Sequence, residues 1–387
     1  MGRRSEVVFV ISGYYGFDNL GDEAVLAAIL HQLGNLAPGS RCIVISGNPA
    51  STAEEHGAEA VSRFDIKGLW TALRQGMVFI SGGGTLFQDV TSTRSLYYYL
   101  LMVILARAFR LPVVIYGQGI GPFGSKLNSL LTRRVLKLCR LIIVREREAY
   151  RQLVEWGFDE EQLYLAADPA VALWNPSPDQ APSVGGSRFL LRRTFGSEFP
   201  QEGPVLLVSL RPWPLVSGCL SAVAEALDQL SREGWQVVFV PFQFDADRVV
   251  CLQCADLMRE RAFLWPRPLR VQEALKLFGE ADYCLGMRLH ALIFAAVHRR
   301  PMLGLAYDPK VENFLLELDL QDAVFYLPRD KSRSIDSQEL LARLHWLKAE
   351  REALTAKIHQ KVGEMAVRVA EANRRLREEL AAAGVRL

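Results

Sequence analysis

The chain has 387 residues, half of them hydrophobic, with 45 basic and 43 acidic side chains and a net charge of +2. That length provides for two domains of ordinary size with a sizeable core. The near-balance of charge argues against a nucleic-acid binder or a strongly basic membrane-surface protein.

Six cysteines in so long a chain do not make a disulfide framework. Cys251-x-x-Cys254 lacks a second pair or a nearby His and lies in a helical pattern, so no metal site is expected there. No signal peptide precedes the first strand, and the longest uncharged apolar run, Leu96 to Ala106, is shorter than the roughly 20 residues of a bilayer span. A soluble, cytoplasmic protein is expected.

The first half repeats one theme, a short apolar strand, a Gly-rich turn and an amphipathic helix. Strand Val7–Ser12 leads to helix Glu23–Leu36, and Arg41–Ser46 is the next strand. Met77–Ser81 leads through Gly82-Gly83-Gly84 to a helix over Tyr97–Arg107. Pro112–Tyr116 leads through Gly117-Gln-Gly-Ile-Gly-Pro122 to Leu127–Cys139. Leu141–Val144, helix Glu148–Gly157 and Leu163–Ala166 complete this half. Residues 176–203, rich in Pro, Ser and Gly, read as a linker. The theme restarts with strand Val205–Leu210, helix Cys219–Glu233 and strand Gln236–Pro241, followed by a helix near Asp247–Arg259. Strands spaced by helices mean doubly wound parallel sheets. The expected architecture is α/β, two Rossmann-like domains (1–175 and 204–335) facing a cleft, with a helical tail over 336–387. In that tail Asp336 is a suitable N-cap, Leu340, Leu341, Leu344 and Leu347 form an apolar stripe, and Gly363 is a candidate break.

Two groups of residues carry chemistry. In the second half, Tyr283-Cys-Leu-Gly-Met-Arg-Leu-His290 reads as a strand, a Gly turn and a helix opening with Arg288 and His290, and the next strand ends on Tyr307, Asp308 and Lys310. Arg211 follows another strand in Ser209-Leu-Arg-Pro-Trp213. Ligands of open α/β sheets bind at strand carboxyl ends, and a guanidinium fork suits carboxylate or phosphate. These cations therefore suit a small, doubly charged anion, and His290 can serve as a general acid near neutral pH. The alternative for Arg211 is an ordinary surface arginine. The other five histidines show no partner pattern.

In the first half, Ser12-Gly-Tyr-Tyr-Gly-Phe-Asp-Asn-Leu-Gly-Asp-Glu-Ala24 joins strand to helix. Asp22 and Glu23 already answer the positive end of the helix dipole, which disfavours a bound phosphate. A sugar-facing loop fits better, with Tyr14, Tyr15, Asp18, Asn19 and Asp22 as contacts and an Asp as a general base, either Asp22 or, at the Gly82-Gly83-Gly84 exit, Asp89, itself also a polar contact. A well-capped turn is the bland alternative. Gln88 and Gln118 lie at the two Gly-rich strand exits, where backbone can approach a ligand closely; tight turns alone are the other explanation. Neither exit is a dinucleotide fingerprint or a Walker loop. Asp245-Ala-Asp247 has metal-binding spacing but falls in an expected loop.

Taken together, Gly13-Tyr-Tyr-Gly-Phe…Gly-Asp-Glu-Ala24, Gly82-Gly-Gly-Thr85, Gly117-Gln-Gly-Ile-Gly-Pro122, Ala167-Asp-Pro169, Ser209-Leu-Arg211, Gly286-Met-Arg-Leu-His290 and Tyr307-Asp-Pro-Lys-Val311 resemble the polysaccharide pyruvyl transferase family, and within it the branch acting on bacterial cell-wall polysaccharide. The resemblance implies a GT-B-like fold and transfer of pyruvate from phosphoenolpyruvate to two hydroxyls of one sugar, giving a cyclic ketal and phosphate. It also implies that Arg211, Arg288 and His290 bind phosphoenolpyruvate, joined here by Lys310, with no metal and no cofactor. The acceptor it implies is a glycan carried on a polyprenyl diphosphate at the inner face of the membrane, where the tail or the segment over Tyr97–Ala106 would touch lipid; for that segment a core helix is the favoured reading. Self-association is left open. Two other functions stay in view: a GT-B glycosyltransferase using a nucleotide sugar, and a non-catalytic glycan- or anion-binding partner of envelope enzymes.

Overall fold

The computed structural model describes residues 6–173, 188–212, 217–328 and 334–385. They form two compact units, Met1–Leu173 with Met365–Leu387, and Trp174–Glu364.

The first unit runs β1 (Val8–Ser12), α1 (Leu20–Leu36), β2 (Arg41–Ser46), α2 (Pro49–His56), β3 (Glu59–Ser62), α3 (Ile66–Gln75) and β4 (Val78–Gly82). It continues through α4 (Thr93–Ala108), β5 (Val113–Gln118), α5 (Lys126–Leu136), β6 (Leu141–Val144), α6 (Arg147–Glu155) and β7 (Leu163–Leu165). All seven strands pair in parallel in the order β3-β2-β1-β4-β5-β6-β7. The central strands are buried along their whole length, as strands covered by helices on both faces must be. Residues 47–76, which show no strand-and-helix pattern in sequence, hold α2, β3 and α3. β3 is a short edge strand with only half-buried or exposed side chains, so it lacks the apolar run that marks its neighbours.

The second unit contains α7 (Phe189–Phe195), β8 (Val205–Ser209), α8 (Ser217–Arg232), β9 (Gln236–Phe239), α9 (Phe244–Leu257), β10 (Phe263–Leu264) and α10 (Val271–Glu280). Then follow β11 (Tyr283–Gly286), α11 (Leu289–Val297), β12 (Met302–Ala306), α12 (Pro309–Glu317), β13 (Val324–Tyr326), α13 (Ser337–Ala349) and α14 (Arg351–Ala382). Its six parallel strands are ordered β10-β9-β8-β11-β12-β13. The linker expected over 176–203 lies outside the described residues up to 187. Beyond that, α7 belongs to the second unit, and its free Leu190 and Leu191 amides donate to the Glu280 carboxylate at 2.7 and 3.0 Å.

Two local expectations change. Asp245 and Asp247 lie in the first turn of α9, not in a loop, and Asp247 is fully buried. The tail breaks at Glu350 between α13 and α14, and α14 runs unbroken through Gly363. A helical Gly costs about 1 kcal/mol, which the buried stripe of Ile358, Val362, Met365 and Val369 on either side outweighs. Asp336 does cap α13, accepting from Gln338 N at 2.8 Å. Residues of α14 up to Glu364 group with the second unit and those from Met365 with the first.

Candidate active site

Both sheets reverse their strand order once, between β1 and β4 in the first unit and between β8 and β11 in the second. In doubly wound sheets the crevice at such a switch point, outside the strand carboxyl ends, is where ligands bind. The loops leaving β8 and β11 carry Arg211 and Arg288; those leaving β1 and β4 carry Tyr14 to Asn19 and Gly83 to Asp89, and Asp22 lies in the first turn of α1.

In the second unit the register sets Gly286 opposite Ser209 and Gly304 opposite Gly286. Arg211, Arg288 and Tyr307 thus leave three adjacent strands at the same edge. Arg211 Nη1 donates to Tyr307 Oη at 2.6 Å, and its guanidinium lies 4.9 Å from that ring's centre. Burial raises the Tyr307 pKa, partly offset by the Arg211 charge. Arg288 grips Asp247 with two donors, Nε to Oδ2 at 2.9 Å and Nη2 to Oδ1 at 2.5 Å, and Nη2 also donates to Gln243 Oε1 at 3.3 Å. The same carboxylate accepts the Phe242 and Gln243 amides at 3.1 and 2.9 Å. Arg288 is the N-cap residue of α11, so His290, half-buried, falls in that helix's first turn. Lys310 is in the first turn of α12, where its amide donates to the capping Asp308 carboxylate at 2.9 Å. Trp213 lies outside the described residues. Asp247 is the residue that sequence reading missed: its spacing suggested a metal ligand, whereas it fixes Arg288 from 41 positions away.

The first unit divides its expected sugar contacts. Tyr14 is half-buried and stacked on Phe17, with ring centres 4.3 Å apart; burial and then Asp22 raise its pKa. Asp18 is exposed in the left-handed region at φ +53°. Asn19 caps α1 by accepting from Gly21 N at 3.2 Å. Asp22 sits against the β4 loop, since a Cβ on Gly84 would lie 3.2 Å from its Oδ1. Gln88 Oε1 accepts from Thr91 N at 3.0 Å.

Three expected site residues are structural. Tyr15 is 1% exposed, and its hydroxyl donates to Gly82 O at 2.6 Å, joining the two loops from beneath. Gln118 is fully buried and donates to Ser81 Oγ at 2.9 Å, stitching β5 to β4. Asp89 accepts from Asn128 Nδ2, Gly124 N and Ser125 N at 2.7, 2.6 and 3.1 Å. Those bonds, Asn128 first, hold its carboxyl below the usual carboxylate range, which makes it a poor base. Such packing depends on residues far away in sequence, so no local pattern reveals it.

Other pairs also escaped the sequence. Glu23 accepts from Gly16 N at 2.8 Å and pairs with His56 at 2.9 Å, both side chains nearly buried. Arg145 and Asp168 form a buried pair, and Pro169 packs where a side chain on Gly117 would be, so Ala167-Asp-Pro169 is a structural motif. Among the described residues, Glu23, Glu55 and His56 form the group whose ligand atoms are close enough to hold a metal; the Glu23–His56 pair already explains two of the three. Both Cys251 and Cys254 are buried in α9, and burial pushes the Cys251 thiol up to about 12.

In solved structures the fold recurs. Anabaena HepE, crystallised with UDP and glucose, is 13% identical, aligns over 97% of this chain and 100% of its own, and gives a TM-score of 0.60. The UDP-GlcNAc 2-epimerase of Neisseria meningitidis bound to UDP-GlcNAc is 10% identical over 96% and 99% of the two chains, with a TM-score of 0.62. A glycosyltransferase of Rickettsia africae is 10% identical over 97% and 99%, with a TM-score of 0.61. At these identities the likeness is one of fold, the GT-B-like pairing of two Rossmann-like sheets. No curated protein matches the chain in sequence. The family model of polysaccharide pyruvyl transferase matches residues 19–309, a span reaching from the capping Asn19 of the first loop past Arg211, Arg288 and His290 to Pro309. The chain therefore belongs to the polysaccharide pyruvyl transferase family and is a transferase enzyme.

Proposed function

We propose that the protein transfers pyruvate from phosphoenolpyruvate to two hydroxyls of one sugar in a polysaccharide precursor, forming a cyclic ketal and releasing phosphate. The observation that carries this reading is the convergence of Arg211, Arg288 and Tyr307 at the β8/β11 switch point, with His290 in the adjoining helical turn. Phosphoenolpyruvate presents a carboxylate and a phosphate, which two guanidinium groups and Lys310 match in charge and shape. Among the described residues Arg211 Nε is buried without a hydrogen-bond partner, a donor that a bound anion would satisfy.

In the proposed reaction His290 gives a proton to the methylene carbon, and C2 becomes electrophilic. One sugar hydroxyl adds to C2 and loses its proton, with Asp22 as the base. The C2–O bond to phosphate breaks. The second hydroxyl then adds to C2, loses its proton and closes the ketal. Of the two protons lost, one replaces that taken from His290 and the other leaves with phosphate. Positive charge fixed around the departing phosphate lowers the barrier without rearrangement. Tyr14, Asp18, Asn19 and Gln88 are the proposed sugar contacts, and a lipid-linked glycan is the proposed acceptor.

The test is a thermal-shift titration with phosphoenolpyruvate and, in parallel, UDP-glucose, because relatives of this fold bind UDP. A ligand at about 100 times its Kd stabilises by roughly 2.7 kcal/mol. Stabilisation by phosphoenolpyruvate that disappears in Arg211→Gln supports the proposal; stabilisation by UDP-glucose alone overturns it. With an acceptor in hand, His290→Ala lowers phosphate release by roughly 10²–10⁴ while phosphoenolpyruvate still binds, and unchanged turnover removes His290 as the acid.

A further inference from the structure

Helices α3, α4 and α5 link β3 to β4, β4 to β5 and β5 to β6, successive steps in one direction across the first sheet. Right-handed crossovers place all three on the same face, and their inward residues Leu73, Val103 and Leu136 share one core cluster. Their outward faces are not what a solvated layer presents.

Helix α5 is apolar on both sides: Val135 and Leu136 are buried in the core, yet leucines also face outward. Its polar Asn128 and Thr132 point into the protein, whereas Leu127, Leu130 and Leu131 point out, Leu127 at 69% exposure. Between Tyr97 and Ala106 helix α4 is apolar on every side, yet only one side is buried; Tyr97, Leu101 and Ile104, spaced at i, i+4 and i+7, form an exposed stripe between Arg94 and Arg107. Helix α3 adds Ile66 and Trp70, 81% and 60% exposed. The three faces adjoin: Tyr97 Oη donates to Asn128 Oδ1 at 2.9 Å between α4 and α5, and Trp70 meets Phe109, just past α4, edge-on at 4.7 Å.

Charge follows the same surface. Over α3 to α5, from Arg63 to Val144, the chain has eleven basic residues and two acidic ones, although its overall charge is only +2; α6, the next step in the same direction, carries exposed Glu148 and Glu155 and bounds the basic patch. Lys126, Arg134 and Lys137 stand exposed on or beside α5. Scattered apolar side chains on a surface are ordinary; a continuous set of this size among cations marks a contact surface. Apolar groups that enter an interface, flanked by Lys and Arg, match a bilayer bearing anionic headgroups. Among the described residues no helix is long and apolar enough to cross a membrane; the contact proposed is with the membrane surface.

We propose that the outer face of α3, α4 and α5 docks the protein onto an anionic lipid membrane. None of these residues belongs to the candidate active site, so the inference is independent of the donor chemistry. The test is flotation of the full-length protein with phosphatidylcholine vesicles, with and without phosphatidylglycerol. Binding to phosphatidylglycerol vesicles that weakens with salt is expected. Leu127→Ser/Leu131→Ser and, separately, Arg134→Gln/Lys137→Gln each weaken it roughly tenfold, while their melting curves stay as in the parent because all four side chains are exposed. Absent binding, equal binding to both vesicle types, or variants that bind like the parent would each overturn the proposal. So would a dimer that the leucine substitutions dissolve, since a second copy of the chain would then be the occupant.

Discussion

Asp247→Ala tests the claim that Arg288 is held in place rather than free. The substitution removes a fully buried carboxylate that accepts two donors from Arg288 and the amides of Phe242 and Gln243. Removing one partner of a buried ion pair costs about 3–5 kcal/mol, and each orphaned buried amide roughly 1–3 kcal/mol. These costs overlap, and the Arg288 side chain is 13% exposed, so water recovers some of its charge. A net loss of about 4 kcal/mol is expected. The second unit has about 190 residues, for which the unfolding entropy is roughly 0.4 kcal/mol/K, so its transition falls by roughly 10 °C. Asp247→Asn, keeping one acceptor oxygen, loses about half as much. Scanning calorimetry reads the shift directly. A variant melting within about 2 °C of the parent would refute the argument and leave Arg288 as an unsupported surface cation. If Asp247 does fix Arg288, the variant also binds the proposed donor, phosphoenolpyruvate, more weakly at temperatures where it remains folded.

Other outcomes follow from the same contacts. Tyr307→Phe removes the 2.6 Å bond to Arg211 but keeps the ring beneath it; with phosphoenolpyruvate as the proposed donor, its KM rises roughly fivefold with kcat little changed, and a fall in kcat alone would contradict a binding role. Asp89→Asn lowers stability by about 1 kcal/mol through the lost loop caps and leaves turnover nearly intact; a large loss of turnover at unchanged melting temperature would restore Asp89 as the base. His298 is half-buried beside Arg300, and desolvation, then that charge, depresses its pKa to about 4. Its unfolded value is about 6.5, so between these values the unfolded chain binds more protons. Its contribution is therefore full above about pH 6.5 and lost as pH falls toward 4, by up to about 3 kcal/mol. His298→Gln flattens that acid-side decline in urea midpoint; an unaltered slope would count against it.

Much of this protein was legible from its residues. Apolar strands separated by helical stretches determine a parallel, doubly wound sheet, because a strand covered on both faces leaves a continuous hydrophobic run. The Gly-rich exits and Met287-Arg-Leu-His290 mark carboxyl edges, because a backbone that turns sharply there needs glycine and a site needs charge. The edge strand β3 left no such run and was invisible. Tertiary structure decided what each polar residue does. Tyr15 and Gln118 share loops and strand ends with exposed neighbours, yet their hydroxyl and amide meet partners 67 and 37 positions away. Asp247 meets Arg288 across 41 positions and His56 meets Glu23 across 33. The outward leucines of α5 are of the same kind: a 3.6-residue period shows that a helix has an apolar stripe, but only the fold shows which way it turns. Charge balance summed over the chain likewise hid a basic surface, because a sum carries no positions. Local sequence fixes backbone form through short-range sterics and hydrophobic period; pairing between distant side chains exists only once the chain has closed on itself.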